Sequence, residues 1–393
     1  MNEVFIFDAV RTPTGNYGGG LASVRPDDLA AHTISSLLNR NDTLDKSAID
    51  DVILGNANGA GEENRNVARM AALLAGLPTS VPGTTVNRLC GSGLEAVVHA
   101  SREIAMGDAS IVIAGGVESM SRAPWVIAKP ERGFPRANET MFSTTLGWRM
   151  VNPKMAPEWT ISLGSGAELL AEKYEISREA QDQFAYESHM RAEIAWKSGH
   201  FDNEVALVPN TKLERDESIR PDTSLETLAK LKTAFKADGT VTAGNASPLN
   251  DGASAVFLGD KNAEAKLGKA PLARIVSRGS AGVDPQLFGI GPVEASKSAL
   301  KKAGLTWNDI KFVEINEAFA AQSLACIKLW PELDPAKVNI SGGAIALGHA
   351  LGSSGSRLLT TMVNNLRRNG GGYGLITLCI GVGQGVSLII EAQ

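Results

Sequence analysis

Short apolar runs alternate along the chain with stretches in which apolar residues recur every third or fourth position. The runs Val4–Phe7, Asp51–Leu54, Thr84–Val86, Ser110–Ala114, Phe312–Ile315, Val338–Ile340, Leu375–Cys379 and Val386–Ile390 read as buried strands. Amphipathic helical segments lie between them. The segment after Cys90 places Leu94, Val97, Val98, Ile104 and Ala105 at helical spacing, and Gly107-Asp108 closes it. Residues 167–198 also read as helices, with Ser177-Arg178-Glu179-Ala180 as a start. Strands alternating with helices predict an α/β fold.

The pattern repeats. Ile49–Asn56 is echoed by Ile310–Asn316, Val86-Asn87 by Val338-Asn339, and Ser110–Gly116 by Gly374–Gly381, in the same order. A duplicated α/β unit follows. Residues 121–162 hold many Pro, Arg, Trp and Met and little regular period, and Asp238–Asn245 reads as a turn into a strand. The expected division is 1–121 plus 251–270 as an N-terminal half, 122–250 as an inserted loop domain, and 271–393 as a C-terminal half. A long insertion beside reactive residues commonly builds a binding site or lid.

Composition narrows the classes. The 393 residues carry a net charge of −5 with no large basic cluster, which excludes a general nucleic-acid binder. Three cysteines argue against a disulfide framework and for a reducing, cytoplasmic setting. The N-terminus reads as a first strand rather than a signal peptide, and no apolar stretch is long enough to span a bilayer. Neither a zinc spacing nor a phosphate-binding glycine loop is evident, so no metal or resident cofactor is expected.

Four residues draw attention as lying at or beyond predicted strand ends: Cys90, Asn316, His349 and Cys379. Cys90 ends an apolar run and opens a helix. Helix N-termini favour thiolates, with pKa values of roughly 3.5–7.5. Gly91 and Gly93 would let backbone or a ligand come close to the sulfur. His99, nine residues on, is about half a rotation away and faces elsewhere. His349 sits in a glycine-rich loop, Ser341–Gly355, and Cys379 precedes Ile380–Gly385, a loop able to present N–H groups. Cys326 lies on an apolar helical face and reads as core, and His32, His189 and His200 read as non-catalytic. An activated cysteine with a histidine base, and a second cysteine as acid or base, indicate acyl transfer through a thioester.

These motifs together resemble the thiolase family. Asn87–Gly93 is similar to its nucleophile motif, Gly115–Ser121 to the following segment, Asn316-Glu317-Ala318-Phe319 to its Asn-Glu-Ala-Phe box, Gly342–Gly355 to its histidine motif and Cys379-Ile380-Gly381 to its second cysteine motif. The resemblance implies a duplicated five-layered α/β/α/β/α core with an inserted loop domain. It implies that Cys90 carries the acyl group, His349 takes the proton from Cys90 or CoA, and Cys379 moves the α-proton of acetyl-CoA. Asn316, through a water, and His349 would hold the enolate, and the N–H groups of Cys90 and Gly381 the tetrahedral intermediate. Arg220, Leu231, Phe235, Ala243, Ser247, Leu249, Ala318 and Phe319 would contact coenzyme A, here a substrate. Self-association as a homodimer or homotetramer is also implied.

The chain departs from the family where Ala350 replaces the usual Pro, Val382 the usual Gly, and Leu163 the Met of short-chain biosynthetic members. Losing the proline should loosen its loop by about 0.4–1 kcal/mol. A β-branched Val382 must be extended or strained. Thr144–Arg149 resembles degradative members that act on 3-oxoadipyl-CoA. The expected activity is acetoacetyl-CoA synthesis or thiolysis, with a degradative 3-ketoacyl-CoA or 3-oxoadipyl-CoA thiolase as the alternative. A thioester hydrolase, a decarboxylating ketoacyl synthase and a silent CoA-binding protein stand further off.

Overall fold

In a computed structural model describing residues 1–393, the strands are β1 (Phe5–Arg11), β2 (Gly15–Asn16), β3 (Asp51–Gly55), β4 (Thr84–Val86), β5 (Ile111–Ser119), β6 (Trp125–Ile127), β7 (Met141–Ser143), β8 (Asn250–Gly259), β9 (Ala273–Gly282), β10 (Ile310–Ile315), β11 (Gly372–Ile380) and β12 (Gln384–Ala392). The helices are α1 (Pro26–Asn39), α2 (Val67–Leu74), α3 (Ser92–Met106), α4 (Leu163–Lys173), α5 (Arg178–Lys197), α6 (Leu225–Ala229), α7 (Ala263–Leu267), α8 (Gly291–Ala303), α9 (Ala320–Lys328), α10 (Ala344–Leu347) and α11 (Leu351–Arg368).

The duplication is visible in the pairing. In the first half β4 and β5 run parallel to β3, β5 antiparallel to β8, and β8 antiparallel to β1. In the second, Val338 and β11 run parallel to β10, β11 antiparallel to β12, and β12 antiparallel to β9. The halves join edge to edge through Phe5–Arg274 and Ile6–Ala273 alone. Helices α3 and α11 pack on each other between the halves, in the largest apolar cluster. Helices α1 and α2 cover the outer face of one half, α8 and α9 that of the other. The result is five layers, α/β/α/β/α.

Motif glycines set this close approach. A Cβ on Gly93 would lie 2.5 Å from the Gly352 carbonyl, one on Gly355 2.3 Å from the Leu94 nitrogen, and one on Gly91 2.6 Å from the Ile380 side chain. Of the two uses expected for Gly91 and Gly93, close approach of protein rather than of a ligand is the one seen, and it joins the halves.

Other expectations shift. Val338–Ile340 forms a single bridge rather than a strand, because Asn339 turns to φ +48°. The Asn339 amide then bonds both the N–H and the C=O of Ile315, at 2.9 and 3.0 Å, in place of a backbone ladder. Strands β8 and β9 escaped the apolar pattern because small and polar residues interrupt them. Ser254 in β8 meets Ser353 and Ser356 of α11, and a Cβ on Gly279 of β9 would strike the Ala295 carbonyl at 2.1 Å. No helix is long and apolar enough to cross a membrane.

Candidate active site

The chain leaves β4 through a tight turn that fixes Cys90. The Asn87 side chain accepts the Leu89 N–H at 2.8 Å and donates to the Ala57 carbonyl at 2.9 Å. Ser92 Oγ accepts the Arg88 N–H at 2.9 Å. Leu89 is forced to φ +47°, a region apolar side chains rarely occupy. Cys90 follows at the head of α3, and its thiol is buried. Burial pushes the thiol up to about 11. The N–H groups of Gly381 and of Cys90 itself act in the other direction, and the Glu118 carboxylate adds to the rise. The readily ionised thiol expected from the helix N-terminus is not what this site holds, because desolvation outweighs the N–H groups. Ionisation of Cys90 therefore needs a base. His99 faces away, as expected, and pairs with Glu95 at 3.1 Å.

Cys379, near the end of β11, is buried and its thiol is held well above the ordinary range, first by burial, then by the charge of Cys90. Residues at the C-terminal ends of two distant segments thus share one site. Cys326 is core, as expected, with its sulfur donating to the Gly289 carbonyl at 3.2 Å.

His349 is not at a strand end. It lies between α10 and α11, where Gly348 takes φ +92° and the Asn250 side chain accepts the His349 N–H at 2.8 Å. Its Nδ1 lies 2.6 Å from Ser354 Oγ. That hydroxyl donates its proton to the Ala350 carbonyl at 3.0 Å, so it accepts from Nδ1–H. Nε2 is then the unprotonated, accepting nitrogen of the ring, and it faces the Asn316 side-chain amide. Burial, and then the charge of Arg357, pulls His349 down to about 3, so the ring is neutral near pH 7.

Asn316 directly follows β10, and its N–H donates to the Thr377 carbonyl, at 3.0 Å, two residues before Cys379. Its side-chain nitrogen lies 3.4 Å from His349 Nε2, while its Oδ1 is buried with no partner in the protein. The neighbouring Glu317 ties the loops together, accepting from Ser188, Asn339 and the Ile345 N–H at 2.6, 2.7 and 3.1 Å.

Sequence reasoning missed several supports. Glu118, whose carboxyl burial raises to about 7, accepts the N–H groups of Ala57, Asn58 and Gly352 at 2.9, 3.1 and 2.9 Å. It clamps the start of α11 to the β3 loop beside Cys90. Ser354 orients His349. Trp148, from the inserted segment, lies on Gly381, where a Cβ would come within 3.0 Å of its ring. Leu163 flanks the same glycine and packs in a small apolar cluster with Cys379 and Phe319. The strain expected at Val382 is present, with φ +62° followed by Gly383 at +72°.

The residues expected to meet coenzyme A form one strip. Arg220 and Ala243 line a cleft with His189, Gly244 and Ala246. His189 accepts the Arg220 N–H at 3.2 Å. Leu231 packs on Gly244, and Phe235 sits edge-on to Phe319, ring centroids 6.2 Å apart. Ser247 donates to the Ala318 carbonyl at 3.1 Å, and Leu249 bridges to His349. The strip therefore runs from the cleft to the histidine.

A duplicated five-layered α/β core in which Cys90 acts on Cys379, and Asn316 joins His349 to the strand that carries Cys379, defines an acyltransferase that works on thioesters through sulfur. The model of the thiolase N-terminal domain matches residues 4–262 and that of the thiolase C-terminal domain residues 269–392. The chain is 53% identical to the 3-oxoadipyl-CoA/3-oxo-5,6-dehydrosuberyl-CoA thiolase of Escherichia coli K12, and 50% identical to a beta-ketoadipyl-CoA thiolase of Acinetobacter baylyi, each covering all of both chains. Among solved structures, human mitochondrial 3-ketoacyl-CoA thiolase superposes with a TM-score of 0.94 at 40% identity, covering 100% of this chain and 99% of that one. The Bacillus anthracis acetyl-CoA acetyltransferase gives 0.93, also at 40% identity, covering 100% and 99%. The chain belongs to the thiolase family, and its activity is acyl transfer on CoA thioesters.

Proposed function

We propose that the chain is a degradative thiolase that cleaves 3-oxoadipyl-CoA, or a close 3-oxo dicarboxylyl-CoA, to acetyl-CoA and a shortened acyl-CoA. The observation that carries this reading is full-length identity of 50–53% to relatives named for that substrate. The Thr144–Arg149 segment adds to it, since Trp148 walls the pocket at Gly381. Similarity favours this alternative over acetoacetyl-CoA.

His349 Nε2 takes the Cys90 proton, and the sulfur attacks C3 of the substrate. The tetrahedral oxyanion lies against the N–H groups of Cys90 and Gly381, a type of contact worth about 3–4 kcal/mol per donor. Collapse breaks the C2–C3 bond and leaves the acyl group on Cys90. The departing enolate is held by His349 and by a water bound to Asn316 Oδ1, an acceptor that lacks a protein partner. Cys379 gives its proton to C2, releasing acetyl-CoA. His349 returns its proton to the Cys379 thiolate and then takes one from a second CoA, whose sulfur attacks the acyl carbon; the acyl–Cys90 bond breaks and the Cys90 sulfur recovers the proton from His349.

Arg220, Leu231, Phe235, Ala243, Ser247, Leu249, Ala318 and Phe319 form the CoA channel in this reading, and the active form is a homodimer or homotetramer. The test is kcat/KM for thiolysis of 3-oxoadipyl-, 3-oxohexanoyl- and acetoacetyl-CoA. A highest value for 3-oxoadipyl-CoA is expected, and a highest value for acetoacetyl-CoA would overturn the substrate assignment. Acyl release without free CoA would point instead to a hydrolase.

A further inference from the structure

Arg149 is a half-buried cation with no ion pair. By contrast Arg88, beside the Cys90 turn, is paired with Glu95 at 3.0 Å, and Arg122 with Glu62 at 2.5 Å. Arg149 instead donates one N–H, from Nη2, to Asn58 Oδ1 at 3.2 Å. That acceptor is neutral, and its orientation is fixed. The Asn58 amide nitrogen donates to the carbonyl and hydroxyl of Thr144 at 3.1 and 2.9 Å, so the oxygen must face the guanidinium. The Asn58 N–H is held in turn by Glu118. The guanidinium is thus aimed while its charge and remaining donors stay uncommitted, as for a fork awaiting a carboxylate.

Its position matches one fragment of the substrate. Arg149 follows Trp148, whose ring lies on Gly381, and Gly381 directs its N–H at the Cys90 sulfur. Asn58 adjoins Ala57, which holds Asn87 in the Cys90 turn. When the C2–C3 bond of a 3-oxo dicarboxylyl-CoA breaks, the distal carboxylate stays with the fragment on Cys90, not with acetyl-CoA. Its counter-ion must therefore be reached from Cys90. Arg149 is tied through Asn58 and Trp148 to the residues that frame Cys90, and the segment carrying it is separate from the 220–249 and 318–319 strip assigned to CoA.

We propose that Arg149, oriented by Asn58 and Thr144, binds the distal carboxylate of the acyl group carried on Cys90 and sets the selectivity for dicarboxylyl substrates. This rests on the thiolase reading above and adds the residue that reads the substrate's far end.

The experiment compares kcat/KM for 3-oxoadipyl-CoA with that for 3-oxohexanoyl-CoA, which has the same chain without the carboxylate. In R149M the ratio of the two should fall about a hundredfold, the usual cost of removing one partner of a desolvated charge pair. R149K, which keeps the charge but not the fork, should retain an intermediate ratio. A ratio is insensitive to losses common to both substrates. If the unmodified enzyme prefers 3-oxoadipyl-CoA and R149M keeps that preference, the assignment to Arg149 is overturned. If the unmodified enzyme shows no preference, the substrate reading itself fails.

Discussion

Ser354→Ala removes the one hydroxyl that orients the base. In the native site Nδ1–H donates to Ser354 Oγ at 2.6 Å, inside a buried pocket. Without it the Nδ1–H has no partner, at a cost of about 1–3 kcal/mol for a buried donor. The other tautomer, with the proton on Nε2, avoids that cost but cannot accept the Cys90 proton. The competent state therefore loses about 1–3 kcal/mol, or roughly fivefold to 150-fold in the rate of Cys90 acylation. Stopped acylation by acyl-CoA, read by intact mass, gives that rate directly. Ser354→Thr keeps the hydroxyl and should restore most of it, whereas a purely structural effect would not follow the hydroxyl. An unchanged acylation rate in Ser354→Ala would refute the tautomer assignment.

Three further outcomes are expected. Val382→Gly relieves a β-branched residue at φ +62°, a strain of about 1–3 kcal/mol, against about 0.5–1 kcal/mol of added chain entropy, so the thermal midpoint should rise; a fall would show that the side chain packs usefully. Ala350 already has φ −76°, within proline's range, so Ala350→Pro should stabilise by about 0.4–1 kcal/mol, read from denaturant midpoints. Burial depresses His349 to about 3 and His189 to about 4 from an ordinary 6.5. Between those values the unfolded chain binds more protons, so stability is full above about pH 6.5 and falls below it by about 1.4 kcal/mol per pH unit for each histidine. Glu118 and Glu314, raised by burial to about 7 and about 8, act in the opposite sense over the same range, so the test is a difference between chains: lowering the pH from 7.5 to 5.5 should shift the urea midpoint less favourably in the native chain than in His189→Gln, and equal shifts would contradict the burial of His189.

The repeat order along the chain was readable because each half must bury its own parallel strands, which leaves matching apolar runs. Strands β8 and β9 were not readable, because helices press so closely that Ser254 and Gly279 replace large apolar side chains there. The reactive residues stood out through their motifs, but their state did not. A helix N-terminus at Cys90 signals an acidic thiol, and only the packed structure reveals that the pocket is dry enough to reverse the sign. Glu118 and Trp148 lay within segments that resemble the family, but their contacts were not legible, since those come from partners far away in sequence, Gly352 and Gly381.

The central claim is that two thiols in one pocket divide the work, Cys90 holding the acyl group and Cys379 moving the proton at carbon. Intact mass and peptide mapping after exposure to acyl-CoA test it in the unmodified enzyme, Cys90→Ala and Cys379→Ala, alongside carbon–carbon bond cleavage. The expected result is an adduct on the Cys90 peptide, absent in Cys90→Ala, and retained in Cys379→Ala while cleavage stops. An adduct mapped to Cys379, or cleavage that survives Cys379→Ala, would contradict the account.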